Sequence, residues 1–165
     1  MAEISENTIE FDGYTFRAVH DSTLARRTAK LLNYYRPPQG HGTPQDAQVA
    51  ATRFRGALLR LFGKPYHSST LSDEAVEYII EVSDPNNNHW ILTAYEGASG
   101  SAIGGDRFNK ENLYPLAELL IKLIDNTTPA DFEAAVYDDD TDNTAVYGYK
   151  SGEYYYRESR GKQFR

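Results

Sequence analysis

Residues 144–157 have the sequence TAVYGYKSGEYYYR, and this stretch decides the fold of the C-terminal part of the chain. Two runs rich in β-branched and aromatic residues are separated by Ser151-Gly152, a pair suited to a tight hairpin turn. A two-residue turn there pairs Lys150 with Glu153. Strand alternation then predicts that one face carries four tyrosines and that the other carries Gly148 and Tyr155. The four are Tyr147, Tyr149, Tyr154 and Tyr156.

Two interpretations of the tyrosine face remain open at this stage. The rings could pack under a helix, with their hydroxyl groups reaching the edge of the contact. Alternatively, they could form an open platform for a partner, because tyrosine is enriched at the energetic centres of protein interfaces. A self-associating module, in which this face closes a homodimer, is a further possibility.

An acidic run precedes the tyrosines, between strands predicted at 132–137 and 144–150. It contains Asp138, Asp139, Asp140 and Asp142. Carboxylates at Asp138, Asp140 and Asp142 have the alternating spacing of a calcium-binding loop, but Tyr149 stands where that loop needs a bidentate carboxylate. No metal or cofactor is therefore expected. Neighbouring carboxylates ~7 Å apart in water repel by only ~0.6 kcal/mol, so a solvated hairpin tip can carry the run without a ligand.

The charge is distributed unevenly along the chain. The net charge is -7, but residues 66–153 carry four Lys/Arg and seventeen Asp/Glu, a net charge of -13. Residues 1–65 and 154–165 each have a net charge of +3. An acidic segment next to the tyrosines argues against direct nucleic-acid binding and favours a basic protein partner, whose association it would accelerate. Solubility alone is the alternative explanation.

Elsewhere the pattern predicts an α+β fold with a mainly antiparallel sheet. Strands are expected at 8–11 and 14–19, joined by Asp12-Gly13, and at 75–82 and 89–95. About three helices should pack on the sheet, at 21–35, 44–62 and 113–124, with a loop at 37–43. The second helix has the clearest ends, with Pro44 at its first position and Gly63 after its last. Residues 1–165 are expected to form a single domain.

A glycine-rich loop is predicted at 97–106. It lacks the lysine of a phosphate-binding loop and the glycine spacing of a nucleophile elbow. It is either a tightly turning connection beside the sheet or a ligand-binding loop in which Ser99, Ser101 and Asp106 could contact a small ligand. The four histidines show no metal-binding spacing, and no catalytic motif is present, so an enzyme is the less favoured class.

Three features that the sequence lacks bear on the cellular location of the protein. The chain has no cysteine, no apolar stretch long enough to span a membrane, and no N-terminal secretory signal. A cytoplasmic protein with no membrane contact is the expectation.

A cysteine-free, acidic α+β protein with an aromatic and acidic hairpin resembles the immunity proteins of bacterial toxin–immunity systems. The stretch 90–105, WILTAYEGASGSAIGG, is similar to one found in bacterial proteins of that kind. The resemblance implies a cytoplasmic binding protein that neutralises a cognate toxin domain. The acidic run and the four tyrosines would then form the partner-binding surface. The alternative function is a small-ligand-binding protein or enzyme that uses the loop at 97–106.

Overall fold

The computed structural model describes residues 8–20, 30–35, 44–65, 67–68, 76–97, 100–105, 110–138 and 142–159. Helix α1 spans Pro44–Phe62 and helix α2 spans Lys110–Asp125. The strands are β1 Thr8–Phe11, β2 Tyr14–Val19, β3 Lys30–Tyr34, β4 His67–Ser68, β5 Val76–Ser83, β6 His89–Gly97, β7 Gly100–Gly105, β8 Phe132–Asp138, β9 Asn143–Lys150 and β10 Glu153–Ser159. The predicted α+β class with antiparallel pairing is confirmed.

The larger of two sheets has the strand order β1-β2-β5-β6-β7-β3, with β4 also paired to β5. Every pairing in it is antiparallel. The β1–β2 hairpin forms as predicted, because Asp12 (φ 55°) and Gly13 (φ 85°) both adopt the left-handed conformation that a type I′ turn requires.

The helix predicted at 21–35 is wrong over Lys30–Tyr34, which form strand β3. Residues 21–29 of that prediction lie outside the described residues, so α1 and α2 are the helices that the described chain contains. β3 pairs with β7, and its register shifts between Leu31 and Asn33. Leu32 and Tyr35 are both buried. The register shift falls at Leu32, and such an irregularity lets a strand bury two side chains three positions apart, a spacing that a helix also produces.

The loop predicted at 97–106 is also wrong over Gly100–Gly105, which form strand β7 between β6 and β3. A side chain at Gly105 would lie within 2.7 Å of Leu113 and 2.8 Å of Leu32. The glycine therefore allows the side chains of Leu113 on α2 and Leu32 on β3 to pack closely against β7. The small residues that suggested a loop instead make room for packing.

Both helices cover one face of the larger sheet. α1 has the predicted ends: Gly63 adopts φ 76°, and its N–H donates to the carbonyl of Leu59 at 2.9 Å. The Tyr78 hydroxyl donates to the Gly63 carbonyl at 2.6 Å, which fixes the helix end against β5. Fully buried core residues include Phe16, Phe54, Leu58, Phe62, Ile80, Leu92, Ile103, Leu113, Leu120 and Ile124.

The second sheet has the order β10-β9-β8 and lies against α1, so that α1 contacts both sheets. Gly56, in the middle of α1, lies close to the segment before β8, because a Cβ at this position would fall 2.7 Å from Cβ of Pro129. The Gly56 carbonyl accepts a hydrogen bond from the Ala130 N–H at 3.0 Å. Among the described residues, no helix combines the length and apolar character needed to cross a membrane.

Candidate functional site

The C-terminal sheet is built on the predicted β9–β10 hairpin. Ser151 (φ 53°) and Gly152 (φ 86°) form the turn, and the register sets Tyr149 opposite Tyr154 and Tyr147 opposite Tyr156. This register confirms that the four tyrosines share one face, which we call the inner face because it meets α1.

Burial on the inner face is deepest at Tyr147, which is 6% exposed. Its ring meets Phe132 of β8 edge to face, with centroids 6.4 Å apart. The guanidinium of Arg55, on α1, lies 5.9 Å from the Tyr147 ring centre and 5.7 Å from that of Phe132. Arg55 itself is 7% exposed. A buried cation shared by two aromatic rings therefore joins the sheet to the helix.

The inner face opens toward the outer edge of β10. Tyr149 and Tyr154 are half-buried, with ring centroids 4.7 Å apart, and Tyr156 is 42% exposed. The Tyr154 hydroxyl is buried near the Arg53 guanidinium, although no described atom meets hydrogen-bond geometry with it. Tyr147 therefore packs at the contact with α1, whereas Tyr156 is exposed.

The opposite face of the sheet, the outer face, carries a cluster that sequence reasoning missed. The Tyr155 hydroxyl donates a 2.7 Å hydrogen bond to Oε2 of Glu133 on β8, and Arg157 Nη2 lies 3.5 Å from the same oxygen. The bond from Tyr155 lowers the pKa of Glu133, and the carboxylate in turn raises the pKa of Tyr155. The predicted register indicated that Tyr155 faces Gly148, but only the β8 register brings in Glu133.

The acidic run lies at one end of this sheet. Asp138 and Asn143 form the last pair between β8 and β9, and Asp142 adopts φ 59° in the connection. Asp139 and Asp140 lie outside the described residues. The structure thus places Asp138 and Asp142 at one end of the β8–β9 hairpin, in a sheet that contacts α1.

The arginines of α1 are engaged in contacts within the protein. Arg53 Nη2 donates to the Asp125 carbonyl at 2.5 Å, and Asp125 Oδ1 accepts a 2.8 Å bond from Tyr35. Arg60 donates to the carbonyls of Thr128 and Pro129 at 3.3 and 3.2 Å. Much of the positive charge near the C-terminal sheet therefore stabilises the fold.

The predicted loop site is not assembled by the described residues. Ser101 is 5% exposed within β7, and its hydroxyl has no hydrogen-bond partner among the described residues. Ser99 and Asp106 lie outside the described residues. The ligand-binding alternative therefore stays a prediction.

An open cleft of about 450 Å³ lies between the β1–β2 turn and the turn at Asp84-Pro85. Its acidic residues are Glu10, Asp12 and Asp84. The Asp84 carboxylate accepts hydrogen bonds within its own turn, from the N–H groups of Asn86 and Asn88 and from the Asn88 side chain. These bonds hold its pKa below the ordinary value. Within the described chain, no group of three His, Cys, Asp or Glu side chains is placed to hold a metal ion.

Comparisons with models of protein families, with curated proteins and with solved structures found no match for this chain. The functional inference therefore depends on the geometry and charge of the chain itself.

Proposed function

We propose that the protein is a binding protein that engages a basic protein partner through its C-terminal sheet. The observation that supports the proposal is the pairing of Asp138 with Asn143, which brings Asp138 and Asp142 to one end of a sheet that contacts α1. A charged segment held on a rigid support loses less conformational entropy on binding than one on a free chain.

Electrostatics support a basic protein as the partner. Residues 66–153 have a net charge of -13, and nearby arginines such as Arg53 and Arg55 are engaged with the protein's own residues. A concentrated negative potential raises the association rate of a basic partner and disfavours nucleic acid. The exposed Tyr156 and the outer-face Tyr155 add aromatic contact area on the same sheet, further along β10 from the acidic end.

The resemblance to immunity proteins makes a cognate toxin domain the first partner class to test. Such a domain with a basic cleft would receive the acidic end of the sheet, and inhibition would follow from occupation of that cleft. A cytoplasmic location belongs to the same proposal.

The test compares the wild type with a variant in which the acidic run is neutralised to asparagine at Asp138, Asp139, Asp140 and Asp142. Affinity purification from the native host identifies partners, and surface plasmon resonance then measures association rates at several salt concentrations. We expect the variant to associate at least about tenfold more slowly at low salt and to show a weaker salt dependence.

A matched control neutralises four exposed acids elsewhere: Glu10, Asp12, Glu118 and Asp131. It makes the same change in net charge, so it separates local steering from overall charge. Equal association rates for the two variants would contradict the proposal.

A further inference from the structure

β10 is one of the two outer strands of the C-terminal sheet, and β8 is the other. β10 pairs with β9 on one side, and no described strand pairs with its other side. An outer strand of seven residues presents a row of main-chain donors and acceptors that another strand can complete. Tyr156, on this strand, is among the most exposed large apolar side chains of the described chain.

The direction of each main-chain group follows from the register. Lys150 and Glu153 flank a two-residue turn, so they exchange both hydrogen bonds with each other. Because antiparallel pairs alternate, Tyr155 and Arg157 also direct their main-chain groups toward β9. The main-chain N–H and C=O groups of Tyr154 and Tyr156 then point outward, to the open side of β10.

We propose that the open side of β10 pairs antiparallel with β10 of a second copy of this chain, with Tyr155 opposite Tyr155 of that copy. Tyr154 of each chain then faces Tyr156 of the other, so outward main-chain groups meet outward groups. The two-fold symmetry is that of an isologous dimer, and the two sheets of three strands become one of six.

Charge complementarity selects this register. In this register, Glu153 of each chain lies opposite Arg157 of the other chain, and the two-fold symmetry makes this pair occur twice. Both side chains lie on the same face of the sheet as Tyr155. These are positions without mutual main-chain bonds, where facing side chains lie closest. A shift of two residues would place Arg157 opposite Tyr155 and leave Glu153 without a basic partner.

The dimer goes beyond the proposed function and does not involve the acidic run. Its interface is the side of β10, whereas the acidic run connects β8 to β9. The two-fold axis would direct the two acidic ends away from each other, so that one dimer presents two of them.

The test uses the full chain with Glu153→Lys and Arg157→Glu, measured by sedimentation equilibrium from micromolar to millimolar concentration. The wild type should show a monomer–dimer equilibrium, and each single variant should dimerise about tenfold or more weakly, because two attractive pairs become repulsive. A mixture of the two variants should form a heterodimer, since a basic side chain then faces an acidic one at both symmetry-related positions. The doubly substituted chain should regain the homodimer.

Glu118→Lys on the exposed side of α2 is the control for charge, and circular dichroism is the control for folding. A wild type that stays monomeric throughout would overturn the proposal. Folded single variants that dimerise like the wild type, or whose mixture stays monomeric, would also overturn it. If neutralising the acidic run left partner binding unchanged, that result would contradict the proposed function and not the dimer, because the variant does not alter β10.

Discussion

The ring of Tyr155 lies over Gly148, its register partner on β9, so that a Cβ at Gly148 would fall 2.6 Å from the Tyr155 hydroxyl oxygen. From there the hydroxyl reaches Glu133 on β8. One aromatic side chain therefore spans all three strands of the C-terminal sheet. The absence of a side chain at Gly148 is what allows it, since any larger residue would occupy the path of the ring.

Gly148→Ala should lower the free energy of unfolding by about 1–3 kcal/mol, because the added methyl group would overlap the Tyr155 ring and the carbonyl of Phe132. Chemical denaturation measures the loss. In a Tyr155→Ala background the same substitution should cost less, since one of the two overlapping groups is gone. Equal costs in the two backgrounds would show that the ring does not lie over this position.

Tyr155→Phe should raise the pKa of Glu133 toward its ordinary value, because the hydroxyl bond that favours the carboxylate is removed. The lowered pKa in the folded state means that the interaction stabilises the protein above the carboxyl's ordinary pKa of 4.5. That contribution is lost as the pH falls through the folded-state pKa. An NMR titration of the Glu133 carboxyl carbon reports the shift. An unchanged midpoint in Tyr155→Phe would contradict the assignment of this hydrogen bond.

Arg55→Ala should lower the free energy of unfolding by about 2–4 kcal/mol, since it removes a buried side chain that both Phe132 and Tyr147 contact. Arg55→Lys should be intermediate, because an ammonium cannot stack as a planar guanidinium does. Arg60→Ala is the control, because this exposed arginine donates to the main-chain carbonyls of Thr128 and Pro129, and its loss should cost under about 1 kcal/mol. The measurement is urea denaturation. Similar losses for the alanine variants of Arg55 and Arg60 would refute the role of the buried cation.

Gly56→Ala tests two opposing effects on α1. In an ordinary helix interior the change gains about 1 kcal/mol, but here the new methyl group would lie 2.7 Å from Cβ of Pro129. Overpacking costs about 1–3 kcal/mol, so we expect a net loss of unfolding free energy. In a Pro129→Gly background the sign should reverse, which thermal unfolding of the four proteins would reveal.

The helix predicted at 21–35 shows where sequence patterns mislead. Leucine and tyrosine spacing in that segment matches a helix face, yet Lys30–Tyr34 pair with β7. A register shift in a strand can bury residues at a spacing that alternation does not predict. The strand at Gly100–Gly105 was missed for a related reason, because its small residues have little preference for a strand unless neighbouring strands supply the pairing.

The candidate site was predictable only in part. Turn chemistry at Ser151-Gly152 gave the register of β9 and β10, and therefore the shared face of Tyr147, Tyr149, Tyr154 and Tyr156. The alternation of side chains along a strand predicts which residues share a face, but it does not predict which face packs against a helix. The inner-face contact with Arg55 and the outer-face contact with Glu133 both join residues distant in sequence, so neither leaves a local signal.

The sequence by itself determined the elements whose cause is local. The hairpin turns at Asp12-Gly13 and Ser151-Gly152 and the end of α1 at Gly63 follow from residues that tolerate positive φ. The tertiary structure alone decided that Tyr147 is buried while Tyr156 is exposed, that β7 is a strand, and that Tyr155 reaches Glu133 across Gly148. These three features depend on pairing and packing between segments that are distant in sequence. Such contacts stabilise the protein only after folding has brought the segments together, so they leave no local signal in the sequence.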